Sequence, residues 1–197
     1  MSDTAEVRFE TSIDGEMPNR NSGPIAYPAK LNEHQRRPFN KRSELNVAVC
    51  DSDLEWRIAE ILDSDAMRDV VTAYARNLCL GWTIPYLDAT GNWRRYVPDF
   101  VVRLTDCPQT GRKRHIVLEG KGFNDPSWPA KRDTTLSYWL PGVNASADDA
   151  CAGRWQLLEV RPDNQLAKRI AEPYLVCTVG ALATTLQQLT EKDDVWN

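Results

Sequence analysis

The sequence has few of the residues that bind transition metals or form disulfides. It has two histidines and five cysteines among 197 residues, and no two cysteines form a Cys-x-x-Cys pair. We therefore expect no His-rich metal site, no zinc site and no disulfide framework. Cysteines that are scattered and odd in number are typical of a reducing compartment, so we expect a cytoplasmic location.

Long apolar runs and nucleotide-binding motifs are also missing. No stretch approaches the roughly 20 apolar residues that a membrane-spanning helix needs, and the polar, acidic start of the chain is unlike a signal peptide. The sequence contains no Gly-x-x-x-x-Gly-Lys-Ser/Thr motif, which binds the phosphates of ATP. We therefore expect no membrane partner, and no helicase motor within these residues.

The sequence does contain enough apolar material for one core. Apolar residues make up 42% of the chain, and seven residues are tryptophans, which at this length favours a single globular domain. Residues 1–45 are polar and rich in Asn, Pro and Gly, and they predict an N-terminal arm or linker. The domain is predicted to cover residues 46–197.

Apolar periodicity after residue 46 predicts a mixture of helices and strands, and hence an α/β fold. A helix is predicted to open at Ser52, and a second helix to run through residues 70–77. The remaining predicted elements are strands near 80–86, 95–104, 114–121 and 154–161, a helix over 129–140 bounded by Pro129 and Pro141, and an amphipathic C-terminal helix containing Leu182, Leu186 and Leu189.

Two of the predicted strands carry charged side chains that suit metal chemistry. Asp99 faces away from Phe100 because side chains alternate along a strand, and Glu119 and Lys121 share one face of the next strand. The connection between these strands contains a proline and a glycine, which favours an antiparallel hairpin. We expect this hairpin to bring the two carboxylates together.

Asp99 and Glu119 are therefore predicted to bind a hard divalent cation. Mg²⁺ prefers carboxylate and carbonyl oxygens and keeps several waters, so the Gly120 carbonyl is a natural third ligand, with Mn²⁺ as a substitute ion. Lys121 would lie beside the metal and orient or help deprotonate an attacking water. Asp99, Glu119 and Lys121 are the predicted catalytic residues for hydrolysis of a phosphodiester.

The order of these motifs resembles the PD-(D/E)XK nuclease superfamily. Residues 77–86 with Asn77 and Ile-Pro-Tyr, residues 95–102 with Pro-Asp-Phe, and residues 118–122 with Glu-Gly-Lys-Gly are similar to the C-terminal endonuclease region of type III restriction enzyme Res subunits and their DEAD/DEAH helicase relatives. The resemblance covers roughly residues 46–160. It implies Mg²⁺-dependent DNA cleavage that leaves a 5′-phosphate, and a restriction-endonuclease-like core of helix, three-stranded antiparallel meander, helix and further strand.

The same resemblance raises two further points. Similar nucleases often carry an extra acid on the first helix, which would make Glu55 a metal ligand, but Ser52 and Glu55 also match a capping box, and both interpretations stay open. Since the sequence has no phosphate loop, a helicase, translocase or modification subunit would have to supply the motor, or the chain is a domain cut from a longer protein.

The net charge of −4 is unevenly distributed. Residues 94–132 contain nine basic and four acidic side chains, and two of these acids are the predicted metal ligands. Local positive potential attracts a phosphate backbone, so this segment favours DNA as a partner, with Arg95, Lys131 and Arg132 as phosphate contacts. An ordinary solvated surface carries similar charge clusters, and that interpretation stays open.

The sequence as a whole predicts a restriction-type, Mg²⁺-dependent DNA endonuclease. One such site cuts one strand, so cleavage of both strands would need a homodimer or two encounters. One alternative is a nuclease fold that serves only as a DNA-binding or interaction module of a helicase complex, and another is a structure-selective or transposition-associated nuclease. A two-carboxylate glycosidase is disfavoured because it would have no role for Lys121.

Overall fold

The structure, a computed structural model, describes residues 36–37, 41–43, 48–77, 80–122, 125–146, 153–164, 175–192 and 196. Its elements, in chain order, are β1 (Arg36–Arg37), β2 (Ala48–Val49), α1 (Asp53–Asp63), β3 (Val71–Arg76), β4 (Ile84–Leu87), β5 (Trp93–Tyr96), β6 (Phe100–Leu104), β7 (Arg114–Gly120), α2 (Trp128–Thr134), α3 (Leu140–Ser146), β8 (Arg154–Arg161), β9 (Leu175–Thr178) and α4 (Leu182–Glu191).

A five-stranded mixed sheet organises the domain, in the order β3-β6-β7-β8-β9. The first three strands pair antiparallel, whereas β8 lies parallel to β7 and β9 lies parallel to β8. Two small antiparallel pairs, β1–β2 and β4–β5, lie outside this sheet. The predicted α/β class is confirmed, as is the antiparallel hairpin that joins β6 to β7.

The sheet buries a core on each of its faces. The larger core packs α1 and α4 against the face that carries Phe100 and Leu118, and Ile58 and Leu186 contribute to it from the two helices. The second core packs α2, α3 and the β4–β5 hairpin against the opposite face, which carries Val117. Because side chains alternate along β7, Glu119 lies on the face of Val117 and the second core.

Strand β3 shows that the helix predicted over residues 70–77 is wrong. This segment pairs antiparallel with β6, and its register shifts between Val71 and Ala73. Such a bulge inserts one extra residue, so Val71 and Tyr74, three positions apart, are both buried in the larger core. The bulge therefore reproduces a helical spacing of apolar residues within a strand.

The strands predicted at 80–86 and 95–104 also differ from the structure. Only Ile84–Leu87 is a strand in the first segment, and the second is divided into β5 and β6 around Pro98. Proline has no amide hydrogen and cannot donate to a strand ladder. As a result β5 pairs with β4 in a separate hairpin, and the antiparallel meander of the main sheet is β3–β6–β7.

The helix predicted over 129–140 does not end at Pro141. Helical structure continues from α2 through a π-helical turn, Thr135–Trp139, into α3, where Pro141 is the second residue. The amide of Leu140 donates to the Thr135 carbonyl, one residue further back than in an α-helix. A proline crowds the preceding turn of a helix, and the wider π-turn accommodates it.

The other elements follow the prediction, apart from β1, β2 and β9, which it missed. Ser52 caps α1, since its Oγ accepts a hydrogen bond from the Glu55 amide, and α4 buries the three predicted leucines. The domain boundary at residue 45 stays a prediction because most of the predicted arm lies outside the described residues. Where the structure does describe it, the amides of Lys41 and Arg42 donate to Asp63 Oδ1. No helix in the described part of the chain is long and apolar enough to span a membrane.

Candidate active site at the β6–β7 edge

The antiparallel pairing of β6 with β7 brings Asp99 and Glu119 together. Phe100 pairs with Leu118 in this register, and Asp99 precedes Phe100 at the point where the chain enters the sheet. The Asp99 amide donates to Glu119 Oε2 at 3.2 Å, and the Gly120 amide donates to Asp99 Oδ2 at 2.8 Å. Each carboxylate thus accepts a hydrogen bond from a backbone amide of the segment that carries the other.

Burial makes this pair of carboxylates costly to ionise. The side chain of Glu119 is 7% exposed and that of Asp99 is 18% exposed. Burial, followed by the charge of Asp99, raises the pKa of Glu119 to about 7, and burial also raises the pKa of Asp99. Two like charges in one site each disfavour the ionised form of the other, so a cation between them would stabilise both.

Lys121 lies beside Glu119, as the strand periodicity predicted. Its Nζ is 2.6 Å from Glu119 Oε1 and 3.5 Å from Asp125 Oδ2, and it lies over the Trp128 ring, 4.4 Å from the centroid. The Lys121 amide donates to the Val160 carbonyl of β8 at 2.8 Å. The ammonium group is therefore enclosed by two carboxylates and an aromatic face on a fixed backbone.

A second buried glutamate fixes the Trp128 ring. Glu159 of β8 lies opposite Glu119 of β7 in the parallel register and is fully buried. It accepts hydrogen bonds from Trp128 Nε1 at 2.6 Å and from Arg161 Nε at 2.5 Å. The indole beneath Lys121 is therefore oriented by a charge-assisted hydrogen bond, which is a stronger constraint than packing alone.

On the opposite side of the site, Arg76 links Asp99 to Glu55. Its Nη1 donates to the Asp99 carbonyl at 2.9 Å and lies 3.6 Å from Asp99 Oδ1, while its Nη2 donates to Glu55 Oε2 at 2.8 Å. Burial opposes the charge on Arg76, but its pairs with Glu55 and Asp99 outweigh burial and raise its pKa. Burial raises the pKa of Glu55, although Arg76 acts in the opposite direction.

This arrangement bears on both interpretations of Glu55. Ser52 Oγ accepts from the Glu55 amide, which is half of a capping box, but the Glu55 carboxylate accepts from the amide of Asp51 at 2.8 Å. The same Glu55 oxygen accepts from Arg76. Glu55 is therefore joined to Asp99 through Arg76, and its role as a metal ligand stays a prediction.

Gly120 has little room for a side chain. A Cβ built on it would lie 3.2 Å from Ile58 Cδ1, 3.3 Å from Asp99 Oδ2 and 3.4 Å from Leu54 Cδ2. These contacts are tight on three sides, with α1 on two of them and the site on the third. The glycine between Glu119 and Lys121 lets α1 and Asp99 approach β7 closely.

The three predicted DNA contacts lie in different environments. Lys131 Nζ is 3.0 Å from Asp125 Oδ2, which places it one carboxylate away from Lys121. Arg132 Nε donates to Asp133 Oδ1 at 2.7 Å. Arg95 is exposed on β5. Much of the positive excess between residues 94 and 132 is thus paired locally, which weakens the argument from charge count alone.

The donor set suits a hard cation that keeps part of its hydration shell. Within the described residues, no group of three or more His, Cys, Asp or Glu side chains could hold a metal. Asp99 and Glu119 supply carboxylate oxygens only, and a carboxylate oxygen has two acceptor directions, so each retains capacity beyond the hydrogen bonds above. Mg²⁺ is commonly bound by one or two carboxylates plus waters, and these residues fit that mode.

Sequence reasoning missed four residues of this site: Arg76, Asp125, Trp128 and Glu159. The motif Asp125-Pro126-Ser127 carried a local signal, because an aspartate two residues before a serine often caps a turn. Asp125 Oδ1 indeed accepts from the Ser127 amide and hydroxyl. The other three residues reach the site only through the pairing of distant strands and helices.

The fold and the site define a mixed α/β protein with a largely buried two-carboxylate centre beside a lysine. Comparisons of the chain with protein-family models, with curated proteins and with solved structures gave no match.

Proposed function

We propose that this protein is a metal-dependent DNA endonuclease with Asp99, Glu119 and Lys121 as its catalytic residues. The observation that carries the proposal is the convergence of a buried carboxylate, a half-buried carboxylate and an ammonium group where β6 pairs with β7, with Lys121 Nζ 2.6 Å from Glu119. The element order supports it, since one helix, three antiparallel strands, a helix and a parallel strand is the arrangement expected of a restriction-endonuclease-like core.

Asp99 and Glu119 would hold the divalent cation, Mg²⁺ or Mn²⁺, with the Gly120 carbonyl as a further ligand. When bound there, the ion would lower the pKa of a coordinated water and offset negative charge that develops on the phosphate. The backbone amides that donate to the two carboxylates keep both side chains in place before any ligand arrives, so little reorganisation is needed at the reacting centre.

Lys121 would position the attacking water and stabilise charge on the phosphate. Its ammonium group carries three donors, of which one is directed to Glu119 and another towards Asp125 in this structure. The Trp128 face below it restricts the remaining freedom of the side chain. Arg76, which links Asp99 to Glu55, is a positioning residue in this scheme.

The test is cleavage of supercoiled plasmid by purified protein with Mg²⁺ or Mn²⁺, with EDTA as the metal control. Glu119→Gln and Lys121→Met keep the approximate shape of each side chain and remove its charge. We expect each to reduce nicking at least 100-fold, because removing one preorganised electrostatic contact to a transition state commonly costs about 10²–10³ in rate.

Asp106→Asn is the matched control, because Asp106 lies in the β6–β7 connection at the end of the hairpin remote from Asp99 and pairs there with Arg103. Its nicking rate should stay within twofold of the wild type. Equal nicking by wild type and Glu119→Gln would contradict the proposal and indicate a contaminating nuclease. Folded wild type that binds DNA and never cuts would instead support the DNA-binding module.

A further inference from the structure

The β4–β5 hairpin has one exposed face in the described part of the chain. Pro85 pairs with Arg95 and Leu87 pairs with Trp93 in the antiparallel register, so these four side chains share one face. All four are exposed, and Trp93 is 59% exposed. We call Pro85, Leu87, Trp93 and Arg95 the hairpin face.

Two members of the hairpin face have unused binding capacity. The side chain of Arg95 makes no hydrogen bond, ion pair or ring contact with the described part of the chain. The side chain of Trp93 likewise has no aromatic or hydrogen-bonded partner among the described residues. A large exposed aromatic side chain beside an unpaired guanidinium favours a ligand with both a flat ring and a negative charge.

The hairpin is rigid enough to act as a binding platform. Its opposite face packs into the second core through Ile84 and Tyr96, and the Leu87 amide donates to Thr134 Oγ1 of α2 at 3.2 Å. The connecting loop is closed by Asp88, whose Oδ1 accepts from the amides of Thr90 and Asn92, both at 2.9 Å. A preorganised surface loses little conformational entropy when a ligand binds.

The hairpin face leads along the chain to the candidate active site. Trp93, Arg95 and Val97 alternate along β5 and its extension, and all three are exposed, with Asp99 two residues further on. Six residues of extended chain span at most about 20 Å. A nucleic acid whose scissile phosphate lies at Asp99 would therefore have its neighbouring nucleotides within reach of Arg95 and Trp93.

Resting on the function proposed above, we propose that the hairpin face binds an unpaired DNA segment beside the scissile phosphate. Trp93 would stack on an exposed base while Arg95 contacts a phosphate, the combination by which single strands are bound without sequence preference. In a duplex the base faces are covered by stacking, so the indole would find no partner there. The substrate class assigned in this way is DNA with a single-stranded branch or end.

The test compares binding of forked DNA with binding of a blunt duplex of the same sequence. Fluorescence anisotropy in EDTA measures affinity without cleavage. We expect Trp93→Ala to weaken binding to the fork about 5- to 100-fold, the range for loss of one base stack, and Trp93→Phe to recover most of it. Arg95→Ala should reduce the slope of log K against log salt by about one.

Two variants serve as matched controls. Tyr138 is an aromatic residue of similar exposure, 60%, on the π-helical turn. Arg68 is an exposed cation that precedes the Val71 end of β3, whereas Asp99 lies next to the other end of that strand. Tyr138→Ala and Arg68→Ala should each leave the affinity for forked DNA within twofold of the wild type.

An unchanged affinity of Trp93→Ala for the fork would overturn the proposal, as would an equal loss of affinity for the fork and for the duplex. The proposal would also be overturned if the wild type self-associates in sedimentation and Trp93→Ala abolishes this, because the hairpin face would then be an interface between copies. Nicking of the same substrates with Mg²⁺ separates the two proposals. Cleavage without any Trp93 effect on binding refutes only the hairpin face, whereas Trp93-dependent binding without cleavage refutes only the nuclease.

Discussion

Replacing Arg76 by methionine tests how the acidic side chains beside the site are held. The substitution keeps an unbranched side chain of similar length and removes the guanidinium. Arg76 is 7% exposed and Glu55 is 13% exposed, and the two are joined at 2.8 Å. The variant also loses the hydrogen bond to the Asp99 carbonyl, so Glu55 and Asp99 both lose a buried cationic neighbour.

The size of the effect follows from this burial. Removing one partner of a buried ion pair costs about 3–5 kcal/mol because the other charge stays desolvated. Burial already raises the pKa of Glu55, so in the variant this carboxyl group can relieve part of the cost by taking up a proton. We therefore expect Arg76→Met to lower the free energy of unfolding by about 3 kcal/mol at pH 7, the lower end of that range.

Urea denaturation followed by circular dichroism measures this loss. The exposed Arg68, which lies 3.9 Å from Asp65 Oδ1, provides the control Arg68→Met, which should change stability by less than about 0.5 kcal/mol. Glu55→Gln should cost less than Arg76→Met, because the glutamine oxygen can still accept from Arg76. The double variant should lose less than the sum of the two, by about 1–3 kcal/mol. A loss below about 1 kcal/mol for Arg76→Met, or strict additivity, would refute this account of the ion pair.

Three other predictions concern the lysine, the histidine and the metal. Trp128→Leu should lower kcat about tenfold without raising KM for DNA, because one partly buried cation–π contact contributes about that factor. Trp128→Phe should keep most of the rate, and an equal fall in kcat for both variants would contradict a role of the ring face. Burial, followed by the charges of Arg103 and Lys113, lowers the pKa of His115 to about 4. The unfolded chain therefore takes up a proton first as pH falls, and up to about 3 kcal/mol of stability should be lost between pH 6.5 and 4. In urea titrations over the same pH range, a His115→Gln variant should lose about 3 kcal/mol less stability than the wild type. Mg²⁺ at 100 times its Kd should raise the free energy of unfolding by about 2.7 kcal/mol in the wild type but not in Glu119→Gln, and equal stabilisation of both would place the ion elsewhere.

The part of the site that the sequence predicted depends on local periodicity. Glu119 and Lys121 share a face because any strand alternates, and a proline and a glycine in the connection favoured the hairpin that brings Asp99 to Glu119. Both inferences need only neighbouring residues, and the pairing of β6 with β7 bears them out. The hydrogen bonds between Asp99 and the Glu119–Gly120 segment are the direct result.

The parts that the sequence did not predict depend on contacts between distant segments. Arg76 reaches Glu55 only because β3 is a strand, and the bulge after Val71 disguises that strand as a helix. Trp128 reaches Lys121 only because α2 packs over β7 and β8, where Glu159 orients its indole. No pattern in either segment alone carries this information, since it arises from packing between elements.

The cost of burying the acidic residues supports the proposal that they act on a ligand. Glu119 and Glu159 lie on the adjoining strands β7 and β8, Asp99 immediately precedes β6, and burial raises the pKa of Asp99 and Glu119. Packing alone would be served as well by apolar side chains, because replacing a buried charged group and its partners by hydrophobic residues is often neutral or stabilising. Strain of this kind persists where function requires it. A divalent cation at Asp99 and Glu119 would offset the repulsion that the apo fold carries, so the predicted gain in stability with Mg²⁺ and the catalytic role proposed for the pair depend on the same carboxylates.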